Sequence, residues 1–169
     1  MGGSQAFKGR NDIISVIVPD SVTAIEYATF IGCDNLTSIT IPFIGIVASD
    51  KTTDRYFCQI FGAGGGGGFS SQNVPDTLKT VVITSETVIP ERAFHDCDGI
   101  TKIIIPKGVT KIWSWAFEWC DNLEQLIYSG TIEEFITITK GNYWNEILFL
   151  DSKYITEVVC SDGILKIDH

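Results

Sequence analysis

The chain has 169 residues, 44% of them apolar, with a net charge of −9; that is long enough for one sizeable core and too apolar for a disordered chain. Its 12 basic residues against 21 acidic ones form no Lys/Arg cluster, which argues against nucleic acid or an anionic membrane surface as a partner. The longest apolar runs, at residues 13–19 and 102–106, are strand-length and far short of the ~20 residues of a membrane helix.

Residues 1–5 lack the apolar stretch of a signal peptide and read as a tag or leader remnant. From Ala6 onward the chain repeats itself. "AFKGRNDIISVIVP" begins at Ala6, "TFIGCDNLTSITIP" at Thr29, "AFHDCDGITKIIIP" at Ala93 and "AFEWCDNLEQLIYS" at Ala116, a spacing of 23 residues within each pair of neighbouring copies. Phe7, Phe30, Phe94 and Phe117 occupy one column, and Ile13, Leu36, Ile100 and Leu123 the next. Val16, Ile39, Ile103 and Leu126 follow, then Val18, Ile41, Ile105 and Tyr128. Pro19, Pro42 and Pro106 end the strand-like segments, as expected of a residue that cannot donate to a sheet ladder. Ile25, Ile89 and Ile112 supply a second apolar contact per unit. Each unit is predicted to be a short parallel strand, a turn, that second contact and a tight helical turn carrying Phe; one unit cannot bury its apolar face alone, but stacked neighbours can.

Between Ile41 and Ile83 the chain is about nineteen residues too long for one repeat. The reading is an insertion over residues 43–73 that leaves the stack as a loop, with Gly64 to Gly68 as its tip. After Tyr128, "GTIEEFITI" predicts a short amphipathic helix with Ile132 and Phe135 still in repeat columns, and residues 136–169 read as a C-terminal capping segment with strands around turns at Asp151-Ser152 and Asp162-Gly163.

These residues resemble the BspA-type leucine-rich repeat family: "IPKGVTKIWSWAFEWCDNLEQLIYSGTIEEF" and "VPDSVTAIEYATFIGCDNLTSITIP" follow that family's "IPxxVTxIxxxAFxxCxxLxxIxIP", with Thr29 in place of the usual alanine. The resemblance spans roughly Gln5 to Phe135. It implies a β-rich α/β repeat solenoid, a right-handed stack with a curved parallel sheet, over residues 6–135. It also implies a non-catalytic, adhesion-type module of a bacterial cell-surface or secreted protein, with a protein ligand on a host or neighbouring cell, a glycan as a further candidate, and no cofactor.

"CDNL" at Cys33 and Cys120, with "CDGI" at Cys97, poses the question of thiol chemistry. The five cysteines are odd in number and include no CxxC pair, so neither a disulfide scaffold nor a metal site is expected. Cys33, Cys97 and Cys120 should be reduced, core-filling members of a ladder; Cys97 and Cys120, one coil apart at roughly 5 Å, are close enough for a disulfide but poorly oriented for one. In this reading Asp supplies turn hydrogen bonds, while Asn and Gly supply a left-handed corner. His95 is expected to face solvent. Glu133 and Glu134 are adjacent on the predicted helix and do not form a carboxylate pair, and the glycine run lacks the Gly-Lys-Ser/Thr of a phosphate loop.

Alternation along the strands leaves two outward rows. One is Ile17, Thr40, Val82, Ile104 and Ile127; the other is Ser15, Ser38, Thr80, Lys102 and Gln125. The apolar β-branched row reads either as a binding surface or as simple strand propensity. Trp113, Trp115 and Trp119 fall in one repeat; one or two should fill the core, and an outward one would suit protein or glycan recognition. Together Ile17, Thr40, Val82, Lys102, Ile104, Gln125, Ile127, Trp113 and Trp115 form the candidate interaction face. Ala6 to Ile13 would present an open edge, making self-association through the solenoid ends, or service as a structural spacer, the competing reading.

Overall fold

The computed structural model describes residues 5–48, 55–63, 71–140 and 155–167. In chain order the elements are β1 (Ser15–Ile17), β2 (Ser38–Ile41), a 3-10 helix (Phe57–Phe61), β3 (Thr80–Ile83), β4 (Val88–Ile89), β5 (Lys102–Ile105), β6 (Lys111–Ile112), β7 (Gln125–Tyr128), α1 (Ile132–Thr137), β8 (Thr139–Lys140), β9 (Glu157–Cys160) and β10 (Gly163–Lys166). Seven strands form one sheet in the order β1-β2-β3-β5-β7-β9-β10, and β4-β6-β8 form a second. All neighbours pair in parallel except β9 with β10. The result is a β-rich repeat fold with a mostly parallel sheet.

The register follows the sequence columns. Ser15 pairs with Ser38 and Lys102 with Gln125, each 23 residues on, whereas Ser38 pairs with Thr80 across the long segment. Ile39, Ile41, Val81, Ile83, Ile103, Ile105, Leu126 and Tyr128 point inward and are buried; each fully buried side chain of this size is worth about 1.5–3 kcal/mol relative to exposure. Val16 and Val18 occupy the same columns but are only half-buried, because β1 is the first strand in the sheet and, among the described residues, has a neighbour on one side alone.

The insertion departs from expectation. Its described part is not a loop outside the stack: Phe57, Ile60 and Phe61 are fully buried and fill the gap between the Phe30 and Phe94 coils. The rings run Phe7 to Phe30 (5.5 Å), Phe30 to Phe61 (6.2 Å), Phe61 to Phe57 (5.5 Å), Phe57 to Phe94 (5.2 Å) and Phe94 to Phe117 (5.7 Å). Two phenylalanines thus replace the one that a regular repeat supplies. Gly62 ends the 3-10 helix at φ 84, with its Cα face so close to Ala28 that a Cβ would stand 3.0 Å from that side chain; a residue with φ > 0 and no room for Cβ is glycine's natural place. Gly64 to Gly68 and the Asp151-Ser152 turn lie outside the described residues.

The turns hold together through backbone bonds between coils. Phe7 N–H donates to Thr29 O (2.9 Å), Gly9 N–H to Ile31 O (2.8 Å), Phe94 N–H to Ala116 O (2.8 Å) and Asp96 N–H to Glu118 O (2.9 Å). In the inserted coil Ile60 O accepts from Phe30 N–H (2.9 Å), and Phe57 N–H donates to Ala93 O (2.8 Å). Left-handed residues flank Phe7, Phe30, Phe94 and Phe117. Gln5, Ala28, Arg92 and Trp115 stand two residues before it, and Gly9, Gly32, Asp96 and Trp119 two residues after.

That placement corrects the reading of "CDNL". Asn35, Gly99 and Asn122 are not left-handed. Their neighbours instead form side-chain ladders between coils: Asp34 N–H donates to Asn11 Oδ1 (2.8 Å) and Asn35 Nδ2 to Asn11 O (2.8 Å), while Asp121 N–H donates to Asp98 Oδ1 (3.2 Å) and Asn122 Nδ2 to Asp98 O (2.9 Å). The Asn11 and Asp98 carbonyls thus each accept from the asparagine of the next coil.

The C-terminal part continues the stack before it turns back. β9 pairs in parallel with β7, Leu126 with Val158 and Ile127 with Val159, and β10 folds back antiparallel on β9 around Ser161-Asp162. α1 forms where predicted, its N-terminus held by Thr131, whose hydroxyl accepts from Glu134 N–H (3.2 Å) while Glu134 accepts from Thr131 N–H (2.9 Å); this reciprocal pair satisfies two helix-end donors.

Candidate functional site

The seven-stranded sheet turns one face to the core and one to solvent. Ile17, Thr40, Val82, Ile104 and Ile127 stand in register on the outer face, and pairing extends the row to Val159 and Ile164. Ile17 is 78% exposed; Thr40, Val82, Ile104, Ile127 and Val159 are half-buried by their neighbours in the sheet. Lys102 is half-buried and Gln125 exposed in the second outward row, beside Ser15, Ser38 and Thr80. Val159 and Ile164 were not legible as members of this face, because the β9 and β10 segment departs from the repeat spacing; the alternation in "EVVC" was the available signal.

Trp113 and Trp115 belong elsewhere. Trp113 follows β6 in the three-stranded sheet, where its N–H donates to Ile89 O (3.0 Å), and Trp115 lies in the following turn. They share no surface strand with Ile104 and Ile127, so the candidate face divides into two surfaces. On the second, Lys111 Nζ lies 3.3 Å from the Trp113 ring and the Arg92 guanidinium 4.4 Å from the Trp115 ring; such contacts contribute about 0.5–1 kcal/mol each near a surface. Both rings are half-buried. Trp119 is the outward one, 60% exposed.

The backbone sharpens this. Trp115 has φ 57 and Trp119 φ 58, in positions where the other coils carry Gly9, Gly32, Asp96, Ala28 or Arg92. A bulky side chain in that conformation costs roughly 1–2 kcal/mol relative to glycine. His95 is also misplaced by the sequence reading: it is only 9% exposed, its ring packs 4.8 Å from that of Trp119, and its Nε2 lies 3.2 Å from Glu118 Oε2. The cause is the ladder, which sets His95 and Glu118 side by side one coil apart.

The cysteines are core residues. All five are buried thiols outside any disulfide. Cys33 Sγ donates to Phe7 O (3.1 Å) and Cys120 Sγ to Phe94 O (3.0 Å). Burial pushes the Cys58 thiol up to about 11 and that of Cys120 up to about 12, and desolvation raises Cys33, Cys97 and Cys160 as well. A thiol that stays protonated is neither a nucleophile nor a metal ligand at neutral pH. Among the described residues no group of three or more His, Cys, Asp or Glu is placed to hold a metal ion.

One buried charge pair anchors the long segment. Arg55 and Glu86 form an ion pair with both side chains about 95% buried, and together they clamp the backbone of Ile44: its N–H donates to Glu86 Oε1 (2.7 Å) and its carbonyl accepts from Arg55 Nε (3.1 Å). Two surface cavities, of about 250 and 300 Å3, lie by the first coil and beside this pair; His95 lines neither.

The BspA type leucine rich repeat region model matches residues 3–49 and 72–168 in six copies. The chain belongs to that family. The match extends through β9 and β10, beyond the point at which the regular columns fade in sequence, and skips residues 50–71 inside the long segment. A solved structure of a leucine rich cell surface protein from Faecalibacterium prausnitzii is similar at 23% identity, covering 78% of this chain and 36% of that one with a TM-score of 0.43. This chain therefore spans about a third of that protein's length. No curated protein matches it.

Proposed function

We propose that this chain is a non-catalytic protein-interaction module of a bacterial surface or secreted repeat protein, wound right-handed and closed at its C-terminal side by the β9-β10 hairpin. Binding takes place through the outer sheet face, with the inserted segment as its variable element. The observation that supports this most is the in-register apolar row Ile17, Thr40, Val82, Ile104, Ile127, Val159 and Ile164, since extended apolar patches on soluble proteins mark contact surfaces. A partner that meets this row buries β-branched side chains already fixed by the sheet, so little side-chain freedom is lost on binding. The test is capture of surface proteins by the wild type and by an Ile104→Lys, Ile127→Lys variant. Loss of the captured partner with an unchanged melting temperature supports the proposal; equal capture refutes it.

A second reading, a structural spacer or self-associating segment, is favoured by the first coil. Phe7 is 40% exposed although the other phenylalanines in its stack are buried, and among the described residues β1 ends the sheet with one side unpaired. Unpaired strand edges invite pairing with another chain. Concentration-dependent dimers in analytical ultracentrifugation, abolished by Ile17→Lys, support self-association; a monomer at every concentration rules self-association out.

A further inference from the structure

The turn side carries a second, chemically different surface built by two adjacent coils. Its members fall in ladder positions: His95 beside Glu118, Asp96 beside Trp119 and Arg92 beside Trp115, tied by Asp96 N–H to Glu118 O (2.9 Å) and Arg92 N–H to Ser114 O (3.3 Å). Trp119 stands out among them. It occupies a left-handed position where two other coils carry glycine, and the indole goes into water and not into the core. A backbone that favours glycine yet carries an exposed tryptophan points to a use for the ring.

The neighbours of the ring define what it can take. His95 packs against it at 4.8 Å and is itself held beside the Glu118 carboxylate at 3.2 Å, so the indole is seated on an ordered support. Two carboxylates, of Asp96 and Glu118, lie on the coils at its side. Asp96 Oδ2 also accepts from Ser71 N–H at 3.3 Å, which fixes its orientation. Trp113 and Trp115 already have a cation over them, Lys111 and Arg92, whereas Trp119 stands 60% exposed and can stack a ligand ring. A neutral ring with an apolar face and hydroxyl edges matches both features: its C–H face stacks on the indole, and its hydroxyls donate to the carboxylates.

We propose that Trp119, with Asp96 and Glu118 beside it and His95 beneath it, is a binding site for a neutral pyranose unit of a glycan. The site lies on the turn side, away from the outer sheet face, and does not depend on the protein-binding role proposed for that face. No covalent step is involved; the ring is held and released unchanged.

The experiment is a titration of the full chain with neutral hexasaccharides (cello-, laminari-, manno- and xylo-series), followed by tryptophan fluorescence and by calorimetry. The wild type should bind at least one of them. Trp119→Gly installs the residue that Gly9 and Gly32 place in the same turn position, so it should melt no lower than wild type while binding falls about tenfold or more. Trp119→Tyr should retain most of the affinity, and Asp96→Asn, whose amide oxygen can still accept from Ser71 N–H, should weaken binding without changing the melt. If no hexasaccharide binds the wild type, if Trp119→Gly binds as well as wild type, or if the ring is needed for a lysine-rich peptide and for no sugar, the proposal is wrong.

Discussion

Phe57 packs its ring 5.2 Å from that of Phe94, and its N–H donates to Ala93 O at 2.8 Å. A residue from the irregular segment thereby takes both the packing and the hydrogen-bonding place of a regular repeat phenylalanine. The segment is part of the fold, and the continuity of the stack from Phe30 to Phe94 depends on it.

Phe57→Ala should accordingly destabilise the chain by about 3–5 kcal/mol, the cost of emptying a fully packed aromatic site. Urea denaturation followed by circular dichroism measures it. A loss below about 1 kcal/mol would mean that the inserted coil is dispensable.

Much of this was legible before any coordinates. From the second coil onward the Phe, Leu/Ile and strand columns named residues that are buried, because one repeated local pattern places the same position at the same depth; in the first coil Phe7 is 40% exposed and Val16 and Val18 are half-buried. The inserted coil was not legible: its Phe57 and Phe61 stand at irregular spacing, and a glycine run beginning three residues after Phe61 argued for a loop. His95 failed for a related reason. A single repeat shows which residues face away from the core, but not that the neighbouring coil's Glu118 and Trp119 will cover His95. The left-handed positions were misassigned to Asn35 and Asn122 because side chains that tolerate that conformation also serve as hydrogen-bond donors, and the ladder uses them for the latter.

Asn122→Ala should cost about 0.5–1 kcal/mol, the low side of the usual net value of a hydrogen bond, since this one is exposed, and Asn122→Gly should cost at least as much. The two variants separate a ladder from a left-handed corner, since glycine would be neutral or better if the corner were what mattered. Thermal melts of both decide it.

Glu86→Gln or Arg55→Met should each destabilise by about 3–5 kcal/mol, because either leaves a buried charge without its partner and breaks the clamp on Ile44. The double variant Arg55→Met, Glu86→Leu should lose less than the sum of the two. Denaturant midpoints of the three variants test this, and additive losses would contradict the clamp.

The thiols predict a loss of stability in alkali. The Cys58 and Cys120 pKa values in the fold, about 11 and about 12, lie above the ordinary value near 9, so below pH 9 folded and unfolded chains are equally protonated at these sites. As pH rises from about 9 through the folded values, the unfolded chain loses protons that the fold retains, and stability falls by up to about 1.4 kcal/mol per pH unit for each thiol. Urea midpoints at pH 8, 9 and 10 should drop more steeply for the wild type than for Cys58→Ala, Cys120→Ala. Parallel curves would show that burial does not hold these thiols protonated.

The claim that the outer sheet face is the protein-binding surface is tested most directly by the affinity of a captured partner for wild type and for Ile104→Lys, Ile127→Lys, measured by biolayer interferometry beside a circular-dichroism melt of each. Two lysines pointing outward from β5 and β7 leave the core residues Ile103, Ile105, Leu126 and Tyr128 in place, so the melts should coincide. Binding should fall about tenfold or more. Coincident melts with unchanged affinity would place the contact elsewhere on the molecule and contradict the account.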